Sequence, residues 1–73
     1  MSLNLYWKPK GQGERLDKDL KFKLEEAGWR FPKTIDSYDA DYLRGLADCN
    51  IKGAKELVDA IEKYDEVYVT LEG

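Results

Sequence analysis

The sequence predicts a small α+β domain with a two- to three-stranded, mostly antiparallel sheet and two to three helices packed on one face. Near both ends of the 73-residue chain, apolar residues alternate with polar ones, which is typical of half-buried strands. Between these segments, apolar residues recur every three or four positions, which is typical of amphipathic helices. The predicted order of elements is β-α-(β)-α-α-β, in a single domain spanning residues 1–73.

The two outer strands are predicted at residues 3–7 and 66–71. We expect these two strands to lie side by side, with the helices covering one face of the sheet. Tyr6 and Tyr68 would then share the face that the helices leave uncovered, whereas Trp7 would point to the opposite face. Residues 1–3 and 72–73 resemble vector-derived ends, and no function is assigned to them.

The first helix is predicted over residues 17–27. Asp17 can cap its start, and Gly28 stands where a helix commonly ends on a glycine. Residues 20–24 also alternate as a strand would, so the sequence leaves helix and strand open there. A short extended piece is expected at residues 29–31, because the proline that follows disfavours helical geometry.

The second helix is predicted to start at Asp36-Ser37, where the side chain of either residue can accept hydrogen bonds from the amides of the first turn. An ion pair between Arg44 and Asp48 is expected on the exposed side of this helix. One apolar stripe is expected to face the core. It comprises Tyr38, Tyr42, Leu43, Leu46 and Ala47.

The last helix is predicted to follow a tight corner. Asn50 tolerates the left-handed geometry that ends a helix, and Ile51 would fill the corner. Gly53 would open the last helix, with Glu56 three residues later as in a capping box.

The residue inventory excludes several classes of site. The chain has one cysteine and no histidine, so it can form no internal disulfide and no histidine can act as acid or base. Structural zinc sites need several Cys or His ligands, and we therefore expect no metal and no cofactor. No segment approaches the roughly 20 apolar residues of a membrane span, and no apolar signal core is found, so we expect a cytoplasmic protein.

Two residue groups invite a chemical interpretation that their context disfavours. Asp36, Asp39 and Asp41 do not fit a calcium-binding EF-hand loop, because Arg44 occupies the position that requires glycine. The three aspartates are better explained as residues that cap and begin a helix. Cys49 has no histidine to activate it and is expected to be a small, partly buried filler residue.

Charge is distributed unevenly along the chain. Residues 1–35 carry a net charge of +3, and residues 36–73 carry −6. The basic segment 8–15 is expected to be a loop, and it matches neither of the common glycine-rich phosphate-binding patterns.

These observations predict a non-catalytic protein-interaction or accessory module, with another protein or a second copy of the chain as partner. The alternative is a nucleic-acid-binding accessory protein that uses the basic, aromatic first half. An enzyme is disfavoured, since its site would have to be assembled around Cys49 across a dimer interface. The candidate partner-binding residues are Tyr6, Trp7, Lys8, Lys10, Arg15, Arg30 and Tyr68.

Overall fold

The computed structural model describes residues 4–11 and 13–72, which form four strands, one short 3-10 turn and three α-helices. Residues 1–3 and 73, part of the suggested vector-derived ends, lie outside this described part. The elements in chain order are β1 (Asn4–Lys8), the turn Pro9–Gly11, β2 (Glu14–Leu16), α1 (Lys18–Glu26), β3 (Lys33–Ile35), α2 (Ser37–Asp48), α3 (Ala54–Tyr64) and β4 (Val67–Glu72).

The four strands form one antiparallel sheet in the order β2-β1-β4-β3. The first and last strands of the chain are therefore neighbours at the centre of the sheet, as the sequence predicted. Leu5 of β1 stands opposite Leu71 of β4, and Trp7 stands opposite Val69. The α+β class is confirmed, with one more strand than the two or three expected.

The extra strand, β2, lies in a segment that the sequence predicted to be a loop. Glu14, Arg15 and Leu16 pair with β1 across the turn Pro9–Gly11, which makes β1 and β2 a hairpin. Three residues carry too little alternation to be detected alone, and their strand geometry depends on the hydrogen bonds to β1.

The strand expected at residues 29–31 is instead β3, at Lys33–Ile35. Ile35 is fully buried and stands opposite Val67 of β4, so burial and pairing together fix this strand after the proline. The expectation for residues 29–31 was wrong because Trp29 and Phe31 pack against the core from a connecting segment, without strand pairing.

Residues 20–24, which the sequence left open between helix and strand, belong to α1. Leu20 and Leu24 are both fully buried, and their spacing of four places them on one side of a helix. The Asp17 side chain accepts a hydrogen bond from the Asp19 N–H at 2.9 Å, as predicted. Gly28 adopts a φ of 93°, and the chain leaves the helix there.

The predicted start of α2 is confirmed, and Asp36 rather than Ser37 is its cap. The Asp36 side chain accepts from the Tyr38 N–H at 3.0 Å, and the Asp36 N–H donates to the Asp39 side chain at 3.3 Å. These two reciprocal bonds form a capping box, with Asp39 in the position usually held by Glu or Gln.

The predicted apolar stripe of α2 is partly wrong. The buried side of the helix is centred on Ala40 and Leu43, with Leu46 packed beside them. Tyr38 and Tyr42 lie on the opposite side, and Tyr38 is 91% exposed. A tyrosine can lie in the core or at the surface. Its presence at helical spacing therefore did not reveal which side of the helix would face the core.

The corner between α2 and α3 follows the prediction at Asn50, which adopts a left-handed φ of 62°, and Ile51 packs against the core. Gly53 precedes α3 with a φ of 92°. The predicted capping box with Glu56 is wrong, because no side-chain hydrogen bond caps this helix. A glycine has no side chain that could accept the amide hydrogen bond, although it suits the left-handed backbone.

The hydrophobic core lies between the three helices and one face of the sheet. α2 packs against α3, and α3 also packs on β4. No helix within the described residues has the length and apolar character needed to cross a membrane. The fully buried large side chains of the core are those of Leu5, Leu20, Leu24, Ile35, Leu43, Leu57, Val67 and Val69.

Candidate binding surface

The sheet face turned away from the helices has no covering element among the described residues. On β4, buried Val67 and Val69 alternate with Tyr68 and Thr70, which project from the other side. The pairing registers extend that side across the whole sheet, because directly opposed residues share a face. We call it the open face, and its described side chains are Tyr6, Lys8, Arg15, Thr34, Tyr68 and Thr70.

Tyr6 and Tyr68 are the aromatic members of the open face, as the sequence predicted. Tyr6 stands opposite Thr70 and Tyr68 stands opposite Lys8, so the two tyrosines occupy diagonal positions on neighbouring strands. Tyr68 is 45% exposed and Tyr6 is half-buried. The pair offers ring surface and two hydroxyl groups to solvent from the two central strands of the sheet.

Arg15 lies next to Tyr6 on the same face. The centre of its guanidinium group is 6.0 Å from the centre of the Tyr6 ring, and its Nη2 donates to the Tyr6 hydroxyl over a long 3.5 Å. This contact combines a cation–π attraction with a weak hydrogen bond. Arg15 remains exposed, so most of its donors still face solvent.

The other predicted partner-binding residues do not all join this face. Trp7 points to the helical side and packs against the core, although it is only half-buried. Arg30 is exposed in the connection between α1 and β3, outside the sheet. Lys10 belongs to the turn after β1, and its side chain is outside the described part of the structure.

Trp7 also borders a cleft of about 360 Å³ between the β1–β2 hairpin and the start of α3. Its indole Nε1 is buried and has no hydrogen-bond partner among the described residues. Two cations, Arg15 and Lys52, and two anions, Asp17 and Glu56, line the cleft. Because these charges balance, the cleft does not favour a ligand of either sign.

The acidic and cysteine residues form no reactive site. Within residues 4–11 and 13–72, no three Cys, Asp or Glu side chains are grouped so that they could hold a metal ion. Cys49 is exposed at the end of α2, so the expectation that it is a partly buried filler was wrong. The side chain ends up outside because α2 turns its other side to the core.

Arg44 makes a different ion pair from the one predicted. It contacts Asp41 at 3.0 Å and reaches across to Glu62 of α3 at 3.2 Å. Asp41 and Glu62 thus take the place of Asp48, the partner that the sequence predicted. The pairing with α3 depends on how the two helices dock, and helical spacing within α2 carries no information about it.

Two features of the surface were missed by the sequence reasoning. Thr34 could not be assigned to the open face, because β3 was placed four residues too early. The exposure of Tyr38 and Tyr42 on α2 likewise became visible only in the fold.

The fold and its open face define the chain as a small α+β domain with an uncovered four-stranded antiparallel sheet. A scan against protein-family models finds no match, and searches of curated proteins and of solved structures find none either.

Proposed function

We propose that the chain is a non-catalytic interaction module that binds a protein partner through the open face. One observation carries the proposal: Tyr6 and Tyr68 lie diagonally on a face of the sheet that no described element covers, with Arg15 beside them. Tyrosine and arginine are the residue types that most often dominate binding energy at protein interfaces.

The rigidity of the face supports this proposal. Tyr6 and Tyr68 stand on the two central strands, whose inward-facing neighbours Leu5 and Val69 are fully buried. Side chains on a fixed backbone lose less freedom when a partner binds, which favours affinity. Thr34 and Thr70 supply hydroxyl groups around the aromatic pair, as in the polar rim of an interface.

The chemistry of the chain favours binding over catalysis. Its single cysteine, Cys49, lies at the end of a helix on the covered side of the sheet, and the sequence contains no histidine to activate it. An exposed thiol that has no second cysteine to pair with suits a reducing compartment, and we propose a cytoplasmic location on that basis.

Site-specific photo-cross-linking tests the proposal. A photoreactive phenylalanine analogue replaces Tyr68, and in a matched control it replaces Phe22, which is 68% exposed on α1. Both proteins are irradiated in an extract of the source organism. We expect a discrete protein adduct from position 68 that resists nuclease and is absent from position 22.

Two results would contradict the proposal. One is equal labelling from both positions, which indicates random collision. The other is that position 68 forms no protein adduct at the concentration the partner has in the extract. An adduct that nuclease removes would instead support the second candidate function.

That second candidate is binding of single-stranded nucleic acid on the same face. Lys8 and Arg15 place positive charge beside two aromatic rings, and bases stack on such rings while cations contact the phosphates. The net charge of −3 weighs against it, because proteins dedicated to nucleic acid are usually basic.

Fluorescence anisotropy with labelled single-stranded oligonucleotides tests this candidate directly. Binding at low salt that weakens steeply as salt rises, and that Arg15→Gln reduces, would favour nucleic acid over protein. Lys63→Gln on α3 is the matched control, because it removes the same charge outside the sheet. No binding at low salt eliminates the candidate.

A further inference from the structure

The open face carries positive charge, whereas the chain as a whole is negative. Its described charged side chains are Lys8 and Arg15, both cationic, against a net charge of −3 for the whole sequence. Glu72 occupies the far end of this face by register, two strands away from Arg15. The acidic surplus of the chain therefore lies away from the centre of the open face.

Much of that surplus lies on the helical side of the sheet. α2 carries three aspartates and one arginine, and α3 carries three carboxylates and two lysines. The fold measures 32 × 29 × 18 Å along its principal axes, so opposite sides of the molecule are well separated. The Debye length is about 10 Å in 0.1 M salt. A ligand on the open face is thus acted on mainly by the charges of that face.

Arg15 differs from several helix cations in having no carboxylate partner among the described residues. Lys21, Lys23 and Arg44 lie 3.1, 3.9 and 3.0 Å from acidic side chains of their own helices. Arg15 instead makes the long 3.5 Å hydrogen bond to the hydroxyl of Tyr6. Most N–H donors of its guanidinium group therefore remain for a ligand.

The setting of Arg15 favours a carboxylate as that ligand. A guanidinium group can donate two parallel hydrogen bonds to one carboxylate, a geometry that a lysine cannot supply. The Tyr6 ring, 6.0 Å away, holds the group over the face before a partner arrives. A side chain that is already positioned loses less freedom on binding.

Each cation of the open face stands in a row with a tyrosine and a threonine. The pairing registers place one row across β2, β1 and β4, and the next row across β1, β4 and β3. The first row comprises Arg15, Tyr6 and Thr70, and the second comprises Lys8, Tyr68 and Thr34. The rows are two residues apart along a strand, or about 7 Å. A segment that lies on the face can therefore contact a cation, an aromatic ring and a hydroxyl group together.

We propose that the partner presents an acidic protein segment to the open face, and that one carboxylate of this segment binds Arg15 beside the Tyr6 ring. This inference rests on the proposed function, because it specifies the chemistry of the partner that the open face binds. The ion pair lies at an exposed site, so it acts mainly on the association rate and on the orientation of the partner.

An NMR titration of the intact chain tests the charge preference directly. Hexaglutamate, hexalysine and hexadeoxythymidylate are added separately in about 0.1 M salt, where the two sides of the molecule are screened from each other. We expect hexaglutamate to shift the backbone amide signals of Tyr6, Arg15 and Tyr68. Hexalysine should instead shift signals of α2 and α3.

Charge reversal locates the effect on the face. Arg15→Glu should weaken hexaglutamate binding by about fivefold or more, because it replaces an attraction with a repulsion. Lys63→Glu on α3 is the matched control, because it changes the net charge equally outside the sheet. It should leave the affinity for hexaglutamate within about twofold. The amide spectra of both variants also report whether the fold is retained.

Three results of the titration would overturn the inference. Hexaglutamate may leave the signals of the open face unshifted, or the two charge reversals may weaken its binding equally. Hexadeoxythymidylate may bind the same residues more tightly than hexaglutamate does, which would assign the face to nucleic acid.

The photo-cross-linked adduct separates this inference from the proposed function. Mass spectrometry of the partner peptide attached at position 68 should identify a segment in which Asp and Glu outnumber Lys and Arg. Arg15→Glu should reduce the yield of this adduct, and Lys63→Glu should not. A protein adduct on a neutral or basic segment would contradict the acidic segment and leave the interaction module standing. The absence of any protein adduct would contradict the proposed function itself.

Discussion

Tyr6 and Tyr68 are diagonal neighbours on the open face, because Tyr6 stands opposite Thr70 and Tyr68 lies two residues before it on β4. Diagonal neighbours in an antiparallel pair are separated by about 7–8 Å between Cα atoms. Residues 62 positions apart in the chain therefore meet because the first and last strands pair at the centre of the sheet. The candidate binding surface follows from that single pairing.

The two glycines Gly45 and Gly53 should respond to alanine in opposite directions. Gly53→Ala forces a side chain onto a φ of 92° and brings its Cβ to 3.1 Å from a Leu20 methyl group, so we expect a loss of about 1–3 kcal/mol. Gly45→Ala lies inside α2 with open space around it and should gain about 0.5–1 kcal/mol. Urea unfolding at low protein concentration measures both free energies without a contribution from association.

The orientation of α2 can be tested by comparing Leu43→Ala with Tyr38→Ala. Leu43 is fully buried, so its truncation should lower the free energy of unfolding by about 2–5 kcal/mol, most of what a domain of this size possesses. Tyr38 is 91% exposed, so Tyr38→Ala should change that free energy by no more than about 0.5 kcal/mol. Thermal unfolding followed by circular dichroism distinguishes the two, and equal losses would contradict the assigned orientation.

The indole N–H of Trp7 has no hydrogen-bond partner among the described residues, so Trp7→Phe should cost less stability than its loss of volume suggests. The buried donor costs about 1–3 kcal/mol because it has given up its hydrogen bond to water. Phenylalanine removes that donor and keeps most of the ring packing, so we expect a loss below about 1 kcal/mol. Trp7→Ala should cost about 3–5 kcal/mol. A loss above 2 kcal/mol for Trp7→Phe in chemical denaturation would show that the indole N–H is satisfied.

The capping box of α2 predicts a specific effect at Asp36. Asp36→Ala removes the acceptor of the Tyr38 N–H and should lower the free energy of unfolding by about 0.5–2 kcal/mol. Ser37→Ala, at the first residue of the helix, is the matched control and should stay within about 0.5 kcal/mol. Equal effects in urea titrations would mean that the cap contributes no stability.

Arg15 should be dispensable for folding. It is exposed, and its contact with Tyr6 is a long hydrogen bond combined with a cation–π contact at an exposed site. Such contacts contribute about 0.5–1 kcal/mol, so Arg15→Ala should leave the domain folded and lower its melting temperature by about 2–8 °C. The same variant should reduce the yield of the adduct formed from position 68, which separates binding from stability. A domain that unfolds on this substitution would assign Arg15 a structural role.

Much of the fold could be predicted because local signals and burial agree. The strand at β4 alternates strictly, Asp36 and Asp17 cap helices where capping residues belong, and Asn50 adopts the left-handed turn it favours. The pairing of the first and last strands could also be anticipated, together with the shared face of Tyr6 and Tyr68.

The errors occur where the environment of a residue is set by distant parts of the chain. β2 is a strand because β1 lies beside it, and Tyr38 is exposed because α2 turns Ala40 and Leu43 to the core. The partner of Arg44 is on another helix for the same reason. No local pattern encodes these relationships.

The sequence by itself determined the α+β class, the three helices, the absence of histidine and disulfide chemistry, and the outward alternation of Tyr6 and Tyr68. Periodicity, capping and residue inventory are local properties, and they can be read without neighbours. Only the tertiary structure decided that α2 turns Tyr38 to water and that β2 and β3 complete the sheet. Burial acts on the apolar area of the whole chain at once, and it left both the open face and Tyr38 of α2 at the surface.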